Sequence, residues 1–409
     1  MANDLLNRLR EKDKKGLFKS SQNSVVYRTG FLPLDYRNGY MLEIRDMKDK
    51  LVDTIPSVGL VGGTFVTVIG KSGVAKTTWS VQAAYNIVKD FPDNAFVIHY
   101  DLEQATNYTR VRNITGASSI ELQDKYVIRQ EKNYLEDIFD SLIQIANEKE
   151  SNKKEYMYDT KTVDEFNQPV YAYVPTVILI DSLPSLASRD MDEEEMKGQT
   201  DSMRMAQKVK QFYKKLLPII KTYNITVISI NHINQKVEVS AFAKTQPQVM
   251  YLKMDESLPG GNAPIYFANT LIKFISAGKK NKADDGFDGF VVRAELLKSR
   301  TNKAGQFCHL VYNQLTGFDP ILTLYQFAED NDLLDGRNPY KYFKGYKDVK
   351  FDSRKFRQAF NDNKEIRNTL MKVCEPYLND LLSRVDDDEK EMSKSDITAA
   401  FIESQENDE

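Results

Sequence analysis

Thr64-Phe65-Val66-Thr67-Val68-Ile69 runs straight into Gly70-Lys71-Ser72-Gly73-Val74-Ala75-Lys76-Thr77, and helical spacing then continues from Thr77 to Val88. β-Branched and aromatic residues make the first segment a strand, and the glycines make the second a tight turn that opens a helix. A phosphate-binding loop asks for Gly, four residues, Gly, Lys and then Ser or Thr, in this strand–turn–helix setting. Its backbone N–H groups, here from Gly70 through Ala75, form an anion hole together with the helix N-terminus. Lys76 would reach the β- and γ-phosphates, Thr77 would hold Mg²⁺ through its hydroxyl, and Thr78 completes the binding segment. Ala75 stands where the pattern has its second glycine. Alanine is the smallest replacement and Gly73 keeps the turn flexible, so the cradle can still form.

The same alternation of strand and helix extends on both sides. Ala95–Tyr100, Val174–Ile180 and Ile225–Ile230 read as further strands, and Leu135–Glu148 and Met203–Tyr223 as helices. Val174–Ile180 is almost wholly apolar, as a strand covered on both faces should be. The expected class is therefore α/β with a mainly parallel, doubly wound sheet. Further strands are expected at Gly289–Lys298 and Phe307–Val311, and a helix over Ile321–Asn331.

Ligands of such sheets bind beyond the carboxyl ends of the strands, and three of these ends carry polar groups. Asp181 ends one strand, where a carboxylate can hold a hydrated metal ion. Asp101-Leu102-Glu103 ends another; alternation aims both carboxylates the same way, making Glu103 the expected base for an attacking water and Asp101 a support for the loop. Asn231-His232 ends a third, where His232 can contact a terminal phosphate. Each also has a plain structural use, as a strand terminator, a helix-capping pair or a structural hydrogen-bonder.

The chain has 409 residues, 41% hydrophobic and 11% aromatic, enough for two or three units with a sizeable core. No apolar run is long enough to span a membrane, and the polar, charged stretch Met1–Lys15 predicts neither secretion nor a membrane partner. Cys308 and Cys374 make neither a disulfide framework nor a zinc site, which fits a reducing cytoplasm. The net charge of −3 hides an asymmetry. From Asp386 onward ten carboxylates face only Lys390 and Lys394, a net of about −8 that leaves about +5 on the rest.

Taken in order, the motifs resemble the RecA/UvsX family of recombinases, and most closely its phage UvsX branch. The resemblance is carried by Val25–Gly30 with Pro33-Leu34, the turn lacking a second glycine, Tyr100–Glu103, Ile180–Leu183, Ile230-Asn231-His232, Gly260–Ala263 and Leu297–Thr301. It implies a RecA-like ATPase core with ATP and Mg²⁺ as cofactors, Glu103 as catalytic glutamate and His232 as sensor of the terminal phosphate. It also implies that Lys298 and Arg300 act in trans on a neighbour's ATP within a homo-oligomeric helical filament. Residues 184–204 and 233–263 would be DNA-binding loops, contacting single-stranded DNA through Arg189, Lys197 and Arg204 and through Lys236, Phe242, Lys244, Tyr251 and Lys253. Cations on phosphates and rings against bases suit a single strand.

The organisation so implied is an N-terminal oligomerisation helix and linker (1–55), the ATPase core (56–331), a basic helical unit (332–385) that could gather double-stranded DNA, and an acidic disordered tail (386–409). The expected activity is DNA-dependent ATP hydrolysis coupled to homologous pairing and strand exchange in a phage-infected host's cytoplasm, alongside single-strand-binding and mediator proteins. A hexameric helicase on the same core, or a nucleotide-driven assembly switch without DNA, are the alternatives. The insertion 149–173 and the charged stretch Glu43–Asp53 have no counterpart in the family.

Overall fold

The structure is a computed structural model that describes residues 8, 25–46, 48, 50–91, 93–131, 133–164, 167–192, 199–235, 251–253, 256–280 and 289–382. Of the expected N-terminal helix within residues 1–20 only Arg8 is among the described residues, and the acidic tail 386–409 lies outside them. Among the described residues no helix is long and apolar enough to cross a membrane.

A large mixed sheet organises the chain. Its strands are β1 (Phe65–Gly70), β2 (Phe96–Asp101), β3 (Tyr126–Arg129), β4 (Thr176–Asp181), β5 (Ile225–His232), β6 (Thr270–Lys280), β7 (Gly289–Ser299), β8 (Gln306–Asn313) and β9 (Gly317–Phe318), in the order β9-β8-β7-β6-β1-β5-β4-β2-β3. From β6 to β3 every neighbouring pair is parallel. The pairings of β7, β8 and β9 are antiparallel. The α/β class and the mainly parallel sheet are thus as expected.

Side chains leave successive strand positions on opposite faces, and the sheet is covered on both. Val177, Leu179, Ile228 and Ile230 join helix α1 (Lys76–Val88) in one core. Trp79 of α1 is fully buried there and meets Phe274 edge-on at 5.7 Å between ring centroids. Ile178, Ile180, Ile225 and Val227 join α2 (Leu135–Ser151) and α3 (Gln199–Thr222) in the other. Each such aliphatic side chain contributes about 1.5–3 kcal/mol when fully buried.

Three sheet strands, β3, β6 and the two-residue β9, have no counterpart in the sequence reading. β6 carries Lys273 in its middle, which breaks the apolar pattern of a central strand. The charge is accommodated because Lys273 Nζ donates to both carboxylate oxygens of Glu256, at 2.7 and 2.8 Å. Burial pushes the Glu256 carboxyl up, but hydrogen bonds from the Lys273 side chain and the Lys253 backbone N–H outweigh it and hold the group below its usual range.

The insertion forms a hairpin, Met157–Val163 with Pro169–Tyr173, and the charged stretch forms a second, Tyr40–Arg45 with Leu51–Ser57. Residues 332–382 correct the expectation of a helical unit. A three-stranded antiparallel sheet (Leu334–Arg337, Tyr340–Phe343, Tyr346–Asp352) precedes helices Phe356–Asp362 and Lys364–Asn379. Phe343, Phe351, Phe356 and Leu370 share one core with Leu322, Tyr325 and Phe327 of helix Pro320–Asp330, so this part is packed against the main body. Alternating Tyr and Lys around Gly336 and Gly345 made hairpins that the helical reading overlooked.

Lys273→Met strands the buried Glu256 carboxylate and is expected to cost about 3–5 kcal/mol in urea unfolding at neutral pH. Because Glu256 is depressed, the pair's contribution is present above the ordinary carboxylate pKa and fades as pH falls through the lowered value. The penalty of the variant should therefore shrink in acid; an equal penalty at both pH values would show that the charge pair is not its source.

Candidate functional site

Gly70 ends β1, and the chain turns through residues 71–75 into α1. A Cβ at Gly70 would lie 2.6 Å from the Phe274 carbonyl oxygen on β6, so only glycine fits. Lys71, Ser72 and Gly73 are exposed, whereas Val74 sinks into the core beneath α1 and pins the turn. Gly73 has φ +80° with open space around it. Ala75 adopts the left-handed conformation, φ 60° and ψ 30°, at the helix N-cap. Thr77 is half-buried and Thr78 buried.

Lys76 curls back over the turn, donating from Nζ to the Lys71 carbonyl at 2.8 Å. It is 5% exposed, and burial pushes its ammonium down to about 8, against the opposing pull of Asp181 and Glu103. Its Nζ also lies 3.5 Å from His232 Nδ1, and His232 Nε2 lies 2.9 Å from Glu103 Oε1. Ser182 Oγ donates to the same Glu103 oxygen at 2.6 Å. Burial raises the Glu103 carboxyl, but the hydrogen bonds from Ser182 and His232 and the charge of Lys76 prevail and hold it below the usual range.

Parallel register explains the meeting. His232 pairs with Gly70 across β5 and β1, Ile180 with Ser229 across β4 and β5, and Asp181 with Asp101 across β4 and β2. Asp101 is fully buried and accepts from the backbone N–H groups of Ala105 and Thr106, at 3.2 and 2.8 Å, and from Gln130 Nε2 at 2.7 Å. It holds the loop after β2, so the two carboxylates of Asp101-Leu102-Glu103 have separate partners. Asp181 is 3% exposed and its side chain makes no hydrogen bond among the described residues.

The other expected residues divide. Lys298 and Arg300 lie at the opposite edge, where Ser299 pairs with Thr270 and Thr270 with Val66 at the start of β1. Within the chain they are not brought to the turn. Lys298 Nζ instead donates to the Ile265 and Tyr266 carbonyls at the end of α4 (Ala263–Phe267). Arg189 is ion-paired with Asp137 and sits over the Tyr134 ring. Arg204 is exposed on α3. Tyr251 packs against the cluster that holds Ile69, Ile233 and Leu258 and is only half-exposed, while Lys253 is exposed. Lys197, Lys236, Phe242 and Lys244 lie outside the described residues.

Ser182 and His99 were not among the expected site residues. Alternation from Asp101 back to His99 was the available signal, but His99 sits inside an apolar run.

No protein-family model matches the chain. Over 153 residues it is 29% identical to the recombination and repair protein of Enterobacteria phage T4, a match covering 37% of this chain and 35% of that protein. The chain thus spans about a third of the length of the curated relative it matches.

Ala75→Gly relieves left-handed strain of about 1–2 kcal/mol and adds unfolded-chain entropy of about 0.4–1 kcal/mol. A net stabilisation of about 0.5–1 kcal/mol is expected in urea unfolding; a loss would show that the Ala75 methyl packs usefully.

Proposed function

We propose that the chain acts in DNA recombination and repair as an ATP-dependent recombinase, with a RecA-like core that hydrolyses ATP and couples it to a filament on single-stranded DNA. The line from Lys76 through His232 to Glu103 carries this reading, because it joins a cation for phosphates, a sensor and a base across three strand ends. The similarity to a phage recombination and repair protein supports the same role.

In this reading the turn Gly70–Ala75 binds the triphosphate and Lys76 leaves the Lys71 carbonyl for it. A polyanion there restores the full charge that burial erodes on Lys76. Thr77 and Asp181 would hold Mg²⁺; the buried, unbonded Asp181 carboxylate beside Lys76 suits a hydrated cation. The ion supplies charge neutralisation on the phosphates. His232, drawn to the terminal phosphate, releases Glu103. Loss of one hydrogen bond raises the carboxylate's basicity, so it takes up the proton of the attacking water only when ATP is in place. Ser182 keeps it oriented.

Residues 236–250 follow β5 in sequence, and after them the Lys253 backbone N–H donates to Glu256. Phosphate contact at His232 would thereby reach the DNA-binding loop. Lys298 and Arg300, at the far edge of their own sheet, would serve a neighbouring protomer's nucleotide. That makes hydrolysis depend on assembly, and single-stranded DNA would promote it by aligning protomers.

Lys76→Ala should abolish binding of a fluorescent ATP analogue. Glu103→Gln should keep that binding and lower turnover about 10²–10⁴-fold. The deciding measurement is ATP turnover with and without single-stranded DNA at two salt concentrations. Stimulation that weakens with salt is expected; identical rates with and without DNA would refute the recombinase reading.

A pH profile tests the Glu103 environment. With its carboxyl held low, turnover should persist at neutral pH and fall in acid as the group protonates. Ser182→Ala removes a stabilising donor, so the acid limb should move to higher pH. An unmoved limb would place the essential base elsewhere.

A further inference from the structure

We propose that His99, Asp101 and Asp181 form a buried site for a divalent first-row transition ion of the Mn²⁺ or Zn²⁺ kind, distinct from the nucleotide's magnesium. One nitrogen or oxygen atom from each of the three lies within 4.8 Å of the others. His99 Nε2 is buried without a hydrogen-bond partner. It faces Asp181 Oδ2 at 3.9 Å, too far for a hydrogen bond. Two ligands each about 2.1 Å from one ion stand roughly 3–4 Å apart, so this gap is what a bridging cation requires.

The surroundings are those of oriented metal ligands. A ligating imidazole donates its other ring N–H to a neighbour, which fixes the tautomer. His99 Nδ1 lies 3.1 Å from the buried Tyr126 hydroxyl; a proton on Nδ1 donated to that oxygen would leave the Nε2 lone pair turned toward Asp181. Asp101 is held in turn by Ala105, Thr106 and Gln130. Electrostatics points the same way. Asp101 and Asp181 are register neighbours on adjacent strands, and both are buried. Two buried carboxylates side by side call for a cation. Lys76, whose Nζ donates to the Lys71 carbonyl, supplies one positive charge near Asp181, which leaves a net negative charge over the two carboxylates. One imidazole with two carboxylates favours Mn²⁺ or Zn²⁺ over Ca²⁺. Asp181 has two oxygens, so Oδ2, the one nearest His99, can serve this ion and leave Oδ1 for a second ligand.

The test uses the full chain without nucleotide, titrated with MnCl₂ and followed by electron paramagnetic resonance, with ZnCl₂ as competitor. About one tightly held Mn²⁺ per chain is expected, displaced by Zn²⁺. Electron spin-echo modulation should show coupling to a ring ¹⁴N nucleus. His99→Gln should abolish the nitrogen coupling, and Tyr126→Phe, which removes only the orienting hydroxyl, should weaken binding about 10–100-fold. Absence of bound Mn²⁺ in the wild-type chain, or bound Mn²⁺ without nitrogen coupling, would overturn the site. Neither result depends on ATP turnover, so this inference and the recombinase reading can fail separately.

Discussion

Parallel pairing brings the ends of β1, β5, β4 and β2 to one edge of the sheet, and every polar group of the site is placed by it. Gly70, His232, Asp181 and Asp101 are each the last residue of a strand that is mostly buried. Side chains at the strand interiors are committed to the two cores that α1 on one face and α2 with α3 on the other complete. In β1, β5, β4 and β2 the carboxylates stand at the rim, whereas the charge of Lys273 inside β6 is matched by Glu256. The site is therefore rigid at its base and open above Lys71, Ser72 and Gly73.

Gathering charge at a buried rim has electrostatic consequences. Lys76, Glu103, Asp101, Asp181, His99 and His232 lie within two adjoining clusters, and the shifts of Lys76 and Glu103 are set by their neighbours. Burial drives the Lys76 ammonium toward neutrality while nearby carboxylates oppose it; burial drives Glu103 up while Ser182 and His232 bring it down. Groups in such a balance respond strongly to an incoming anion or cation. A triphosphate above the turn and a metal ion between β2 and β4 would act on the two clusters from opposite sides.

The parallel sheet and its rim were legible because local patterns were strong. Val177–Ile180 is wholly apolar and Phe65–Ile69 nearly so, and the glycine-rich turn lies directly between strand and helix. Glu103 and His232 could be named because strand ends in such sheets point to one place. β6 was missed since Lys273 looks incompatible with a central strand until Glu256 appears opposite it, from a segment 17 residues away in sequence. The sheet of residues 334–352 was missed because its short strands lack the length at which periodicity becomes distinctive.

From its residues alone, the chain determined that a glycine-containing turn would sit at the head of a helix, and that Asp101, Glu103, Asp181 and His232 would share an edge. These follow from local backbone preference and from alternation, which act over a few residues. Tertiary structure alone decided that Glu103 would be clasped by Ser182 and His232, that Lys298 would cap α4 far from the turn, and that His99 would face Asp181 across an unbonded gap. Such pairings depend on strand register and helix packing between distant segments, and no local pattern encodes a distance of a few ångströms between residues 80 or 130 positions apart.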